Sequence, residues 1–230
     1  MNSELRLRTR AGPVVIARLR DVGGPTDVFG AAEYAHASGT WADVRFVIDV
    51  GAHVGSFSVW ALRLSRCEVL AIEPDPDTFE MLKRNLLRFG ARARCAQVAL
   101  AGESGERILR VAEDSAASAL GSLEPGDPAR RHSVRAVTLE EVFELAAFPR
   151  IDVLKLDIEG AEYEVFEHLA TGILSRVGTL LVECHENERQ GSDGIADILR
   201  QEGFEVSAKR KTAELLVVTA STRAKSRQAP

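Results

Sequence analysis

From residue 46 onward the apolar and polar positions of this chain alternate between two periods. VRFVIDV is a nearly continuous apolar run of the kind a strand buried on both faces shows, and SFSVWALRLS after it reads as a helix. EVLAIEP repeats the strand pattern. DPDTFEMLKRNLLRFG then predicts a second helix, with Asp75 as N-cap, Pro76 at the first helical position and Gly90 as the stop. ARCAQVALAG predicts a third strand, followed by a polar excursion through ERILRVA and the turn GSLEPGDPARR. SVRAVTLEEVFELAAF predicts a short strand and a helix. IDVLKLD and TLLVECH are further buried strands, each followed by a helix, over GAEYEVFEHLATGIL and DGIADILRQEG. FEVSAKRKTAELLVVTA closes as a hairpin. Upstream, LRLRTRAGPVVIARLRD predicts two short strands around Ala11-Gly12-Pro13, and GGPTDVFGAAEYAHASGTW a turn-rich helical cap.

Repeated strand–helix units predict an α/β fold with a doubly wound, Rossmann-like sheet and ligands at the carboxyl ends of its strands. No repeat and no linker divides the chain. Residues 1–45 are therefore expected to join residues 46–220 in one domain, with 221–230, small and basic, as a disordered tail.

Composition narrows the function classes. Apolar residues make up 45% and charged residues 27% of the 230, ordinary for a globular protein with a sizeable core. A formal charge of -5 argues against a general affinity for nucleic acid. Cys67, Cys95 and Cys184 lie far apart without CxxC spacing, which speaks against a zinc site or a disulfide framework. Neither a membrane-spanning run nor a signal-type apolar segment is visible, so the expected location is cytoplasmic.

The first candidate chemistry lies in FVIDVGAHVGSFS, a strand ending at Asp49 that turns through Gly51 and enters a helix near Gly55. A dinucleotide site would want G-x-G-x-x-G, but His53 stands where the second glycine belongs and Phe57 adds bulk. The Gly-Lys-Ser/Thr of a P-loop is absent. S-adenosylmethionine has no phosphate. Asp49 suits its ammonium, directly or through water, and backbone N–H groups near Gly51 suit its carboxylate. Glu73, 24 positions after Asp49 and closing the second strand, is placed to accept hydrogen bonds from both ribose hydroxyls.

The second segment is IDVLKLDIEGAEYEVFEHL. Asp157 ends a buried strand where a ligand should sit, Lys155 is expected to pair with a neighbouring acid, and Glu162 is explained by the helix dipole. Together D-V-G-A-H-V-G, A-I-E-P-D-P, V-A-L-A-G and L-K-L-D-I-E-G-A-E resemble the FkbM-type S-adenosylmethionine-dependent methyltransferases, from about Thr26 to Ala220. The resemblance implies a class I methyltransferase fold, a seven-stranded, mostly parallel sheet ending in an antiparallel hairpin strand. It implies O-methylation of a small-molecule hydroxyl, on a sugar or natural-product scaffold. Carried over by position, Asp49, Gly51, Ala52, His53, Val54 and Gly55 hold the methionine part of the cofactor. Glu73 binds the ribose, Pro74 lies against the adenine, Gln97 and Val98 border the base, and Asp157 lines the methyl-donor pocket. One departure is His53, where the family usually has Asn.

Direct in-line transfer calls for alignment of an oxygen with the methyl–sulfur bond, with help from a base. His185 is the expected base, with Glu183 on the same side of the VECHE strand and Asp157 nearby as catalytic companions. Glu183, His185 and Asp157 also form a set of metal-capable groups. The Asp-Asn pair of catechol-type methyltransferases is missing, and no metal is expected. His132 and His168 have no supporting context. Asp27–Tyr34 and the loop Ser115–Ser122 are the expected acceptor-choosing parts. A macromolecular methyltransferase and a cofactor-binding protein without catalysis stay open as alternatives. The former is disfavoured by the acidic balance and by aromatics limited to Trp41 and Trp60 among tryptophans.

Overall fold

The computed structural model describes residues 4–8, 14–18, 41–111, 119–120, 130–185, 193–210 and 215–222. Two short strands, Glu4–Arg8 (β1) and Val14–Arg18 (β2), pair antiparallel as their alternation predicts. The apolar runs then become Phe46–Val50 (β3), Glu68–Ile72 (β4) and Ala93–Ala96 (β5), separated by helices Ser56–Leu64 (α1) and Pro76–Leu86 (α2). Asp75 caps α2 as expected: its Oδ1 accepts from the N–H groups of Asp77 and Thr78 at 2.9 and 3.4 Å. After α2 a 3-10 segment, Leu87–Arg92, is broken by Gly90 at φ 57.

A second, four-stranded sheet follows. Its members are Ala99–Leu100 (β6), Gly105–Val111 (β7), Ala119–Leu120 (β8) and Arg130–Val137 (β9), in the order β6-β9-β7-β8. ARCAQVALAG is thus not one strand. It leaves the main sheet at Ala96, and Ala99 pairs with Ala136 in the other sheet. Leu109, Val111, Val134 and Ala99 give that sheet a small core of its own.

The chain returns through Leu139–Ala146 (α3), Ile151–Leu156 (β10), Glu162–Glu167 (α4), Val177–His185 (β11), Asp193–Gln201 (α5), Phe204–Arg210 (β12) and Leu215–Thr222 (β13). The main sheet has seven strands in the order β12-β13-β11-β10-β3-β4-β5. β13 is the antiparallel member, paired with β11 and β12. This is the doubly wound, mostly parallel architecture the sequence predicts. Alternate residues divide the core between the two faces. Ile48, Val50, Leu70, Leu154 and Leu156 pack with α3, α4 and α5, whereas Val47, Val69, Ala71 and Val153 pack with α1, α2 and the β1–β2 hairpin. Asn85 ties that hairpin down, accepting from the Ile16 N–H at 2.7 Å and donating to the Ile16 and Val54 carbonyls at 2.8 Å.

Two boundaries differ from expectation. The helix after Gly160 spans six residues and gives way to a 3-10 turn at Ile173–Arg176, entered through Gly172 at φ 78. Ser221 and Thr222, assigned above to the tail, belong to β13. The Asp27–Tyr34 cap, residues 223–230 and most of the Ser115–Ser122 loop lie outside the described residues.

Candidate cofactor and methyl-transfer site

The carboxyl ends of β3, β4, β10 and β11 lie side by side in register. Asp49 neighbours Lys155 across β3 and β10, and Lys155 neighbours Leu181 across β10 and β11. In parallel register such neighbours face the same way, and so do residues two apart. Asp49, Lys155, Asp157, Glu183 and His185 therefore share one face and one edge of the sheet.

The turn after β3 holds three residues at positive φ: Gly51 at 73°, His53 at 52° and Gly55 at 88°. A Cβ on Gly51 would lie 1.7 Å from the Asp157 carbonyl oxygen, and one on Gly55 would lie 2.7 Å from a Leu82 methyl. These glycines serve close packing of strand and helix before they serve any ligand. His53 occupies left-handed backbone, where Asn, Asp and His are the non-glycine residues enriched, so the exchange with the family's usual Asn has a conformational basis.

Several backbone N–H groups of this turn, the stretch expected to receive the cofactor carboxylate, bond within the chain. Those of Gly51 and Ala52 both donate to the Ile72 carbonyl, at 3.0 and 2.8 Å, and that of Gly55 donates to Ala52. The His53 N–H donates to Glu73 Oε2 at 2.9 Å, and the Asp75 N–H donates to Glu73 Oε1 at 2.8 Å. Each oxygen of Glu73 is thus fixed by one backbone donor. Burial pushes the Glu73 carboxyl up to about 8, against the pull of those two bonds. Pro74 is half-buried beside it. Gln97 and Val98, following β5 as Glu73 follows β4, are exposed and buried respectively.

Asp49, expected to serve the cofactor ammonium directly or through water, is fully buried. Ser58 Oγ donates to its Oδ2 at 2.6 Å and Lys155 Nζ lies 3.8 Å from its Oδ1. Burial raises its pKa, while the Lys155 charge and the Ser58 hydrogen bond restrain the rise. Lys155 pairs with acids as predicted, donating to Asp157 Oδ2 at 3.0 Å. Burial would depress the ammonium, but the Asp157 and Asp49 charges hold it above its ordinary value.

His185 closes β11 between two acids. Its Nδ1 lies 3.0 Å from Glu162 Oε1 and its Nε2 lies 3.3 Å from Glu159 Oε2. Burial disfavours the imidazolium, yet the Glu162 hydrogen bond and charge, with Glu159 and Asp157 behind them, push the ring up to about 9. The acids around His185, the general base expected above, thus favour its protonated form in the free chain. Glu159, burdened first by burial and then by the Asp157 charge, is pushed up to about 8.

For Glu162 the sequence offers the helix dipole as explanation. The structure shows it fully buried, accepting from the Ile158 N–H at 3.1 Å and the Gly160 N–H at 3.0 Å while holding His185. Glu159 and Glu162 are the site residues that sequence reasoning passed over; the E-G-A-E spacing after Asp157 was their only signal. Among the described residues, the metal-capable group within mutual reach is Asp157, Glu159 and His185, not the expected set with Glu183. Trp41 and Trp60 stack edge to face with centroids 4.6 Å apart beside Phe57, a packing cluster.

Residues 49–206 match the Methyltransferase FkbM domain. The chain belongs to this family. The FkbM methyltransferases are S-adenosylmethionine-dependent, and the cofactor expected from the glycine turn and Glu73 is the one this family uses. Among relatives, the chain is 29% identical over 171 residues to the hexuronic acid methyltransferase AglP of Haloferax volcanii, covering 74% of this chain and 66% of AglP. It is 26% identical over 195 residues to the 31-O-demethyl-FK506 methyltransferase FkbM of Streptomyces tacrolimicus, covering 71% of this chain and 74% of that one. It is also 29% identical over 205 residues to the AMB antimetabolite synthetase AmbE of Pseudomonas aeruginosa, covering 71% of this chain but 10% of AmbE. This FkbM-family chain thus spans a tenth of one such relative and just under two thirds of another.

Solved structures share the fold. The METTL16 methyltransferase domain matches with a TM-score of 0.54 at 12% identity, over 87% of this chain and 69% of that one. SMU.1697c of Streptococcus mutans, in complex with SAH, matches with a TM-score of 0.51 at 10% identity, over 83% and 96%. Among the described residues, no helix of this FkbM-family chain is long and apolar enough to cross a membrane.

Proposed function

We propose that this FkbM-family chain transfers the methyl group of S-adenosylmethionine to a hydroxyl of a small molecule, a sugar or natural-product scaffold. The observation that carries the cofactor half is Glu73: a carboxylate at the strand edge, 7% exposed, with each oxygen fixed by one backbone N–H and retaining lone-pair capacity for a ribose hydroxyl. Pro74, Gln97 and Val98 border the base. Gly51, Ala52, His53, Val54 and Gly55 shape the floor under the methionine part. Asp49 acts from below, anchoring Lys155 and, through it, Asp157.

Bound S-adenosylmethionine supplies an activated methyl on a sulfonium, so the chain's task is alignment and exclusion of water. Asp157, Glu183 and His185 form the polar wall at the ends of β10 and β11 that orients the acceptor oxygen. The carboxylates of this edge take up the proton that the hydroxyl gives up. The names of AglP and FkbM support a small-molecule acceptor, and the acidic charge of the chain favours one over nucleic acid.

The test is a labelled-methyl assay over a panel of hydroxylated sugars and natural-product scaffolds. Label recovered as a base-stable methyl ether supports the reading. Label in none of them, with S-adenosylmethionine still bound, would point to a macromolecular acceptor or to a non-catalytic cofactor-binding protein.

A further inference from the structure

We propose that Asp157, Glu159 and His185 form a binding site for a divalent first-row metal ion at the carboxyl ends of β10 and β11. The three side chains each offer one ligand atom within 4.8 Å of the others, and each is 26% exposed. Two carboxylates and an imidazole suit Mn2+ or Zn2+ better than the all-oxygen preference of Mg2+ or Ca2+. Three protein ligands leave further coordination positions for water or an acceptor oxygen.

What separates this group from an ordinary acidic patch is the support behind the histidine. A metal-ligating imidazole needs its other ring nitrogen held by a carboxylate or carbonyl, which fixes tautomer and orientation. Here Glu162, fully buried, holds Nδ1 at 3.0 Å, and its two oxygens are locked by the Ile158 and Gly160 N–H groups. Nε2 is thereby aimed at Glu159. Asp157 is steadied in the same way: Lys155 takes Oδ2, leaving Oδ1 for an ion. Glu183, just beneath on β11, adds a further acid to an edge already rich in negative charge.

Binding of the ion is independent of the methyl-transfer reading; its role rests on that reading. An ion at this edge would polarise the acceptor hydroxyl, so that the oxygen–carbon bond forms as the carbon–sulfur bond breaks. The proton would pass to Glu183 or to water, and the sulfur would leave as a neutral thioether.

The experiment uses the full chain, stripped with EDTA, returned to chelator-free buffer and titrated with MnCl2 by electron paramagnetic resonance. One Mn2+ per chain is expected, with nitrogen coupling from an imidazole in the pulsed spectrum and displacement by Zn2+. Glu159→Gln and Asp157→Asn should each weaken binding by about tenfold or more, with circular dichroism reporting that the fold is kept. Absence of saturable binding, absence of nitrogen coupling in the native chain, or unchanged affinity in a folded Glu159→Gln would overturn the proposal. If a variant does not fold, the nitrogen coupling of the native chain decides. S-adenosylhomocysteine is titrated into the same samples. A chain that binds S-adenosylhomocysteine but shows no saturable Mn2+ binding overturns this inference alone, and one that binds Mn2+ but not S-adenosylhomocysteine overturns the cofactor reading instead.

Discussion

Replacing Lys155 by Met removes the cation that, among the described residues, lies between Asp49 and Asp157, while keeping length and apolar bulk. Asp157 is 26% exposed and reaches solvent; Asp49 is fully buried and keeps, among the described residues, the Ser58 hydroxyl. The cost therefore falls on Asp49, and stripping one partner from a buried ion pair costs about 3–5 kcal/mol. For a chain of this size each kcal/mol shifts the unfolding midpoint by about 2–4 °C, so a fall of roughly 6–20 °C is expected. Asp49→Asn alone should cost less, about 1–3 kcal/mol, because Lys155 keeps Asp157 at 3.0 Å. The double variant has no buried carboxylate left without a cation, so its loss should undercut the sum of the singles by about 1–3 kcal/mol. Urea unfolding followed by tryptophan fluorescence and far-ultraviolet circular dichroism measures all four chains. Additive losses, agreeing within about 0.5 kcal/mol, would refute the electrostatic coupling.

Gly51→Ala should destabilise by about 2–5 kcal/mol, since its Cβ would sit 1.7 Å from the Asp157 carbonyl at a φ of 73; a midpoint within 2 °C of the native chain would contradict this. Asn85→Ala leaves the Ile16 N–H and two carbonyls without their side-chain partner and should cost about 2–4 kcal/mol. Limited proteolysis should then cut the β1–β2 hairpin first; an unchanged digestion pattern would count against its docking role. Glu73 gives a pH dependence with a definite sign. Its folded pKa is raised to about 8, so the free site is largely protonated at neutral pH, whereas ribose hydroxyls donate best to the ionised form. Binding should release a proton, and affinity should climb as pH rises toward about 8 and level off above it, a slope that Glu73→Ala should lose. Calorimetry at several pH values, with the variant as the common control, checks it; equal slopes in both chains would contradict the assignment.

The central strands were legible because burial on both faces writes a continuous apolar run, as in Phe46–Val50 and Ile151–Leu156. The start of α2 was legible because an N-cap is local chemistry: Asp75, Pro76 and the first turn decide it among themselves. Which sheet a strand joins is not local. Nothing in ARCAQVALAG marks the step at Gln97–Val98 that hands the chain from β5 to β6, because the partner, Ala136, lies far along the sequence. The site divides the same way. Asp49, Glu73 and Asp157 were visible as acids closing strands. Glu162 was not, because its partner His185 is 23 residues away and its burial depends on α4 packing against β11. The packing role of Gly51 was not legible either, because the backbone its Cβ would meet belongs to Asp157, over a hundred residues away in sequence.

In the proposed function, Glu73 accepts the ribose of S-adenosylmethionine at the edge of β4. Calorimetric titration of S-adenosylhomocysteine into the native chain and Glu73→Ala tests it most directly, with NAD as the competing ligand. Loss of two hydrogen bonds to a carboxylate should cost about 2 kcal/mol or more, so one-to-one binding to the native chain and roughly 30-fold weaker binding to the variant are expected. No binding of NAD is expected. Equal affinity of the two chains for S-adenosylhomocysteine, or tighter binding of NAD, would contradict it.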